Sequence, residues 1–235
     1  MKVLNLIALP LLFSSLFAGC SSIMMFQGAK TVPQGSLQTG AGFSGGAYAS
    51  RHTLGKFDLV TPSVAGNAWL RYGIVDSLDA GFNVAVPGNM TADAKWNFLK
   101  ESDGHIMTAS TGFGYGFSVG NSDEKASQVQ RVTDYIFPLY LSRDAGKYVT
   151  FYAVPRYIYR LTYNQERLAA SLPATSETIY DNMWGAGLGV MFNLGAEKKQ
   201  HIMLECQRTA VFRKADFFSF QCGAGISGDW NLFGH

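Results

Sequence analysis

Four charged residues lie at polar positions in three consecutive stretches of this chain: Arg71, Asp79, Asp93 and Lys95. Each stretch alternates apolar and polar side chains, so the four would project from one face of adjacent strands. Buried together, two cations and two anions would pair and fix the register of the strands. Lining a passage, they would instead form a charged constriction that selects solutes. Arg156 and Glu205 could join the same group from the opposite wall.

The four histidines do not indicate catalysis or metal binding. They are His52, His105, His201 and His235, and no His–Ser or Asp–His spacing among them is typical of a known hydrolase. Their scatter also does not match the ligand spacing of a metal site. We therefore predict no catalytic residue, no metal and no cofactor, with a lipid-modifying enzyme kept as an alternative hypothesis.

Cys206 and Cys222 occupy apolar positions on the last two predicted strands, about equally far from the turn at 213–216. This places them nearly opposite one another. A cross-strand disulfide forms if their Cβ atoms come within about 4.5 Å. Otherwise they are two small apolar residues on the outer face.

Composition restricts the class of protein. Charged residues make up 15% of the chain and the net charge is +2, whereas typical soluble domains carry about 25% charged residues. There is no basic block, which argues against a nucleic-acid partner.

Period-2 alternation predicts about ten strands, near 36–48, 62–75, 78–87, 91–100, 105–119, 129–142, 148–162, 179–193, 200–212 and 217–231.

The two faces of these strands differ in composition. The polar face is mainly Gly, Ser, Asn and Gln, and the apolar face is rich in Trp, Phe, Tyr, Leu and Val. A water-exposed exterior would carry abundant Lys and Glu, so we expect the apolar face to meet lipid. The sequence predicts an all-β fold, a closed antiparallel transmembrane β-barrel of about ten strands (8–12). A soluble periplasmic barrel that is tethered by lipid and binds a small ligand is the alternative.

Several local features follow from a barrel. Aromatic girdles would include Tyr72, Trp96, Tyr157, Tyr159, Trp184 and Trp230, and also Trp69 unless it points inward. Pro138 and Pro155 fall within strands, where we expect bulges or shifted pairing. The segments 49–61, 120–128 and 163–178 are predicted to be the longest outer loops, and the last two could bind a surface partner.

Glycines at inward positions leave space along one side of the predicted barrel. This space is either a narrow water path or room for long side chains such as Arg71, Tyr140 or Arg156. The glycines concerned are Gly112, Gly114, Gly116, Gly185, Gly187, Gly189, Gly223 and Gly225.

The N-terminus carries a secretion signal. Lys2 precedes an apolar run over 3–17, followed by Ala18-Gly19-Cys20. This resembles the bacterial lipoprotein signal, which implies that residues 1–19 are removed and that Cys20 is lipidated. An ordinary leader cut near Ala18 is the alternative. We then expect a lipidated tether over 20–35 on the periplasmic side and the barrel over 36–235.

Residues 69–98 carry a further resemblance. Arg71-Tyr72-Gly73 at a strand end, then Leu78-Asp79-Ala80-Gly81 and Asp93-Ala94-Lys95, resemble a pattern in small outer-membrane barrel lipoproteins of Gram-negative bacteria, as does the stretch Ala29 to Gly35. Most such proteins have no assigned activity. The resemblance implies an outer-membrane location, with membrane lipid and the barrel-assembly and lipoprotein-sorting machinery as partners. The expected role is a narrow pore for small solutes, or a structural or surface-interaction barrel.

Overall fold

The computed structural model describes residues 24–51, 57–86, 88–101, 105–122, 127–167, 175–195, 197, 199–211 and 217–231. These residues form ten strands: β1 (Ser36–Arg51), β2 (Phe57–Val75), β3 (Leu78–Val86), β4 (Asn89–Leu99), β5 (Thr108–Ser122), β6 (Ser127–Ala145), β7 (Val149–Arg167), β8 (Thr175–Leu194), β9 (Gln200–Val211) and β10 (Phe217–Asn231). Each strand pairs antiparallel with its chain neighbours, and β1 pairs with β10, which closes the barrel. The predicted fold class is confirmed. Within the described residues, no helix is long and apolar enough to span a bilayer.

The barrel has a polar interior and an apolar exterior. Arg71, Asp79 and Glu205 are at most 1% exposed, whereas the outward side chains Phe43 and Leu188 are 73% and 66% exposed. An exterior of this kind requires lipid rather than water around it. The soluble alternative is therefore wrong, because it needs the opposite arrangement of the two faces.

The barrel has two ends, which we call the terminal rim and the distal rim. The terminal rim carries Ser36, Asn231 and the turns at 76–77 and 146–148, and the distal rim carries Gly88 and the ends of β5 to β8. Outward-facing aromatic side chains form two groups, one towards each rim. Tyr72, Trp96 and Trp230 lie towards the terminal rim, and a network of ring contacts towards the distal rim joins Phe113, Tyr115, Tyr135, Phe137, Tyr157, Tyr159, Tyr180 and Trp184.

The separation of these aromatic bands fits a bilayer. From Tyr148 at the terminal rim to Tyr159, the chain rises about 36 Å along β7, or about 26 Å along the membrane normal at a tilt near 45°. Apolar bands of outer-membrane barrels are about 25 Å tall. Trp69 belongs to neither band, because it points into the lumen and is 4% exposed.

Several strand boundaries differ from the prediction. Strands β6, β7 and β8 have 19, 19 and 20 residues, so much of the predicted loops 120–128 and 163–178 is strand. Residues 57–61 of the predicted first loop also belong to a strand, β2. Beyond the distal aromatic band, β6 to β8 therefore continue as a sheet that projects from the membrane.

The prolines do not shift the pairing. The ladder of paired residues between β6 and β7 is interrupted next to Pro138 and Pro155. Pro138 pairs with Arg156 on one side of this gap and Leu141 pairs with Ala153 on the other, so the register is unchanged. The predicted bulges at these prolines are wrong. Register shifts instead occur at Ala47/Tyr48, Gly73/Val75 and Asn97/Leu99. A proline removes only one donor, and the neighbouring ladder holds the strand in place.

Candidate functional site

Residues 24–34, which we call the lumen segment, lie inside the barrel. Met24, Phe26 and Ala29 are at most 1% exposed, and Val32 is 4% exposed. The segment then leaves at the terminal rim, where the Gly35 amide donates to the carbonyl of Gly73 at 2.9 Å. The expected tether is corrected here, because the described part of 20–35 packs within the lumen. Its apolar side chains avoid water there, and its backbone finds polar partners on the wall.

The predicted charges Arg71, Asp79, Asp93 and Lys95 form one cluster near the terminal rim. Arg71 Nη2 lies 2.5 Å from Asp79 Oδ1, and its Nη1 donates to both oxygens of Asp93 at 2.9 Å. Lys95 Nζ lies 3.5 Å from Asp79 Oδ2. Two positive and two negative groups thus balance within a buried site, which removes the large penalty of an unpaired buried charge.

This cluster also holds the lumen segment. Asp79 Oδ2 accepts the Val32 amide at 2.9 Å. Lys95 Nζ donates to the carbonyls of Gly28 and Lys30 at 3.2 and 2.7 Å. Further from the charges, Asn97 and the Ser110 hydroxyl both donate to the carbonyl of Ala29. Backbone groups of the segment therefore occupy the positions that a solute would need in a selective constriction.

Arg156 and Glu205 do not join that cluster, although both are buried on the opposite wall. Glu205 Oε2 accepts the Phe26 amide at 2.9 Å and the Tyr152 hydroxyl at 3.1 Å. Arg156 donates to Gln207, which donates in turn to Gln221 at 2.5 Å. Glu205 thus fixes the inner end of the lumen segment, and Arg156 belongs to a polar row above it.

Phe26 is the most constrained residue of the segment. Its φ is 45°, which is a rare value for a bulky side chain and persists only when the surroundings enforce it. Its ring stacks on Trp69 with centroids 5.4 Å apart, and Glu205 holds its amide. These contacts from β2 and β9 fix the conformation of Phe26.

Several inward glycines receive side chains. Trp69 lies over Gly40 and Gly225, and Tyr152 lies over Gly189, so closely that a Cβ atom at any of the three would collide with a ring. Gly223 similarly faces the ring of Phe26. Of the side chains predicted to fill this space, Arg156 lies beside Gly185 and Gly187. At Gly225, Gly189 and Gly223 the occupants are instead Trp69, Tyr152 and Phe26, which were not predicted.

A cavity of about 230 Å³ is left beside the lumen segment, towards the terminal rim. Its lining combines apolar side chains such as Phe26 and Met191 with polar ones, including Gln27, Ser142, Thr150, Asn193 and His201. The hydroxyl of Ser142 and Oε1 of Gln27 have no protein partner, so water would satisfy them there.

His201 is the histidine nearest to a catalytic arrangement. Its Nε2 lies 3.2 Å from Asp229 Oδ2 and its Nδ1 lies 2.8 Å from Asn193 Oδ1. Ser227 pairs with His201 across β9 and β10, but its hydroxyl makes no hydrogen bond. Both ring nitrogens are therefore occupied, and no nucleophile is activated by His201 in this arrangement. His105 is exposed, and His52 and His235 lie outside the described residues.

No group of three or more His, Cys, Asp or Glu side chains that could hold a metal occurs in the described part of the chain. Cys20 and the predicted signal segment 1–19 lie outside that part.

Cys206 and Cys222 pair directly across β9 and β10. They face outward and are joined by a disulfide, with Cα atoms 4.0 Å apart. Disulfides persist in oxidising compartments such as the bacterial periplasm and the cell surface.

Removal of this bridge should lower the stability of the barrel. For a loop of 16 residues, the chain-entropy model gives about 3 kcal/mol. Either Cys206→Ala or Cys222→Ala should produce the whole loss, and the double variant should add little to it. Denaturant unfolding of the barrel in vesicles measures this. Mass spectrometry without reductant checks the bridge itself, and two free thiols in the wild type would contradict it.

Comparison with known proteins adds evidence on the fold. No family model matches the chain, and no curated protein matches it. The solved structure of the outer membrane protease OmpT from Escherichia coli superposes with a TM-score of 0.55 at 8% identity, covering 89% of this chain and 100% of that one. This chain has an outer-membrane β-barrel fold. At 8% identity the likeness carries no activity across.

Two other solved structures are more distant. The translocator domain of the autotransporter NalP from Neisseria meningitidis has a TM-score of 0.46 at 9% identity, covering 97% of this chain and 95% of that one. The attachment invasion locus protein Ail of Yersinia pestis has a TM-score of 0.41 at 12% identity, covering 84% and 99%. Neither value is high enough to support an argument about this chain.

Several residues of the site were not predicted. Asn83, Asn97, Ser110 and Tyr152 bind the lumen segment or its partner Glu205. One signal was present in the sequence. The apolar run Met24-Met25-Phe26 is unsuited to a solvated tether and indicates burial.

Proposed function

We propose that this protein is a lipid-anchored outer-membrane β-barrel that does not act as an open pore. The lumen segment closes the half of the barrel next to the terminal rim, and the barrel serves as a structural or surface-interaction element. The single observation that supports this closure is that buried charged side chains of the wall bind the lumen segment. Asp79, Lys95 and Glu205 each bind backbone atoms of residues 26–32.

Three observations support the location. The fold is that of outer-membrane barrels, and the leader with Cys20 resembles a lipoprotein signal. The outward disulfide suits an oxidising compartment. Outer-membrane barrels have short turns on the periplasmic side and longer loops outside. We therefore propose that the terminal rim, which carries short turns, faces the periplasm and that the distal rim faces outward.

The projecting sheet supports a role at the cell surface. β7 continues eight residues beyond Tyr159, and β6 and β8 accompany it. The sheet extends past the aromatic band, and its described side chains Gln130 and Glu177 are exposed, so they are available to a partner outside the membrane. We propose no enzymatic activity, since both nitrogens of His201 are engaged.

Conductance in planar lipid bilayers tests the closure. The folded wild type should be silent, because the lumen segment fills the passage. A variant that lacks residues 24–34 should produce discrete conductance steps. The variant Met24→Ser/Met25→Ser/Phe26→Ser keeps the chain length and should open intermittently, since it weakens burial of the segment without removing it.

Two results would contradict the proposal. Regular steps from the wild type would mean that the segment does not close the barrel. Silence from both variants, with the barrel folded as judged by its heat-dependent gel mobility, would assign the closure to the wall side chains instead.

A further inference from the structure

The cavity beside the lumen segment contains two polar groups without a partner in the protein. They are the Ser142 hydroxyl and Oε1 of Gln27, which make no hydrogen bond within the described residues. Both residues line the cavity, and they are 3% and 5% exposed. Native structures rarely leave buried polar groups unpaired, so an occupant of the cavity is expected to bind them. Since Gln27 Oε1 only accepts, this occupant must carry at least one O–H or N–H donor.

The mouth of the cavity lies at the terminal rim and has a fixed frame. Lys30 and Pro33 line the cavity and are exposed, so the cavity is open to solvent there. On the wall side, one chain of hydrogen bonds joins six neighbouring strands. Its members are Asp144 of β6, Thr150 of β7, Asn193 of β8, His201 of β9, Asp229 of β10 and Gln38 of β1. A wall that is already ordered loses little conformational entropy when a ligand binds.

Apolar side chains also line the cavity. Phe26, Val32 and Met191 are among them, so an occupant needs carbon surface as well as polar groups. The cavity measures about 230 Å³, whereas an apolar cavity of about 150 Å³ holds benzene. Pockets for drug-sized ligands are larger, at about 300–1,000 Å³. A single sugar ring, which carries hydroxyl groups around a C–H face, fits between these limits.

The charged side chains of the lining already have partners within the protein. Lys30 and Lys95 each pair with a carboxylate, at 2.5 and 3.5 Å. The carboxylate of Asp229 accepts a hydrogen bond from Gln38 at 2.8 Å and lies 3.2 Å from the ring of His201. A charged ligand would therefore bring an unpaired charge into the barrel, which is costly. The cavity favours a neutral ligand.

We infer that this cavity binds a small neutral polyol of about the size of a monosaccharide. Its hydroxyl groups would replace water at Ser142 and Gln27, and its carbon skeleton would contact Phe26 and Met191. A ligand that reproduces the hydrogen bonds of a displaced water loses no affinity by displacing it. In the proposed orientation the solute enters from the periplasm. The inference goes beyond the proposed function, because binding at one end of the barrel requires no conduction.

Gly28 offers a way to fill the cavity without changing the wall. It belongs to the lumen segment and lines the cavity. A Cβ atom at this position would lie 3.9 Å from both Ser142 Cβ and Met191 Cε, which is an ordinary contact distance. Gly28→Ala should therefore fold and leave most of the space, whereas Gly28→Leu should occupy it. Ser142→Ala removes a hydroxyl that has no partner among the described residues, so it should also fold.

Isothermal titration calorimetry tests the inference on the full chain, folded in a phosphocholine detergent that carries no sugar. The probes are D-glucose, D-galactose and D-mannose, each with its uronate as the charged control. At least one neutral sugar should bind saturably, and its uronate should bind much more weakly. Gly28→Leu should abolish this binding and Gly28→Ala should retain it. Ser142→Ala should weaken it about 2- to 10-fold, the range for one neutral hydrogen bond.

Each outcome decides the inference. Saturable binding that Gly28→Leu abolishes and Gly28→Ala retains supports it. No saturable binding to the folded wild type overturns it, as does equal binding to the wild type and to folded Gly28→Leu, which would place the site elsewhere. If Gly28→Leu does not fold, an unchanged affinity in Ser142→Ala overturns it and a weakened one supports it. Tighter binding of the uronates would contradict a neutral ligand. A wild type that conducts would contradict only the proposed closure.

Discussion

Replacement of Arg71 by methionine should lower the free energy of unfolding by about 3–5 kcal/mol, the range for removing one partner from a buried ion pair. Arg71 is 1% exposed and contacts both Asp79 and Asp93. Without it, Asp79 keeps Lys95 and the Val32 amide. Asp93 loses the Arg71 Nη1 group that donates to both of its oxygens, and the cluster acquires a net negative charge. Denaturant unfolding in phospholipid vesicles, followed by tryptophan fluorescence, measures the loss.

A charge-balanced variant gives the sharpest control. Arg71→Met/Asp93→Asn removes one charge of each sign, and should recover part of the stability lost in Arg71→Met. The two residues are in contact, so their effects should not be additive. Lys199→Ala breaks an exposed ion pair with Glu197 and should leave the unfolding midpoint unchanged. Unfolding of Arg71→Met at the wild-type midpoint would show that the cluster does not stabilise the barrel.

Replacement of Trp69 by alanine should lower the free energy of unfolding by a similar amount, about 3–5 kcal/mol for a buried aromatic side chain. Trp69 is 4% exposed and fills the space above Gly40 and Gly225. Its loss leaves a cavity and frees the ring of Phe26. The same vesicle unfolding experiment applies, and Trp69→Phe should retain more stability than Trp69→Ala because a ring remains.

Trp96 supplies the matched control. It is also a strand tryptophan, but it is 53% exposed on the outer face. Trp96→Ala should lose much less stability than Trp69→Ala, since lipid replaces the contacts of the ring. Equal losses would contradict the assignment of Trp69 as the packing partner of the segment. A double-mutant cycle with Phe26→Ala should give a coupling of about 0.5–1.5 kcal/mol for the stacked rings.

The sequence was sufficient for the barrel because alternation is a physical requirement of its wall. Each transmembrane strand must present one face to lipid and one to the lumen, so residues such as Phe82 and Leu188 alternate with Asp79 and Gly187. The same rule placed Arg71, Asp79, Asp93 and Lys95 on one face. The ends of the strands were harder to predict from the sequence, because β6 to β8 leave the membrane and lipid no longer imposes alternation there.

The lumen segment was missed for a different reason. Its main partners bind backbone amides and carbonyls, at Phe26, Gly28, Ala29, Lys30 and Val32. Every residue carries such groups, so no side-chain pattern marks the segment as a ligand of the wall. The resemblance to lipoproteins also favoured a position outside the barrel, because the stretch after the cysteine is a tether in those proteins. Only the tertiary arrangement places that stretch between β3, β4, β5 and β9.

The enclosed position of residues 24–34 constrains the order of assembly. The segment continues directly into β1, which forms the final seam with β10 over fifteen residue pairs. If this ring closed first, Asp79, Lys95 and Glu205 would lie in an empty lumen without the backbone partners that now bind them. Closure around the segment avoids that intermediate. Residues 24–34 would then act as a template around which the strands assemble before β1 and β10 pair.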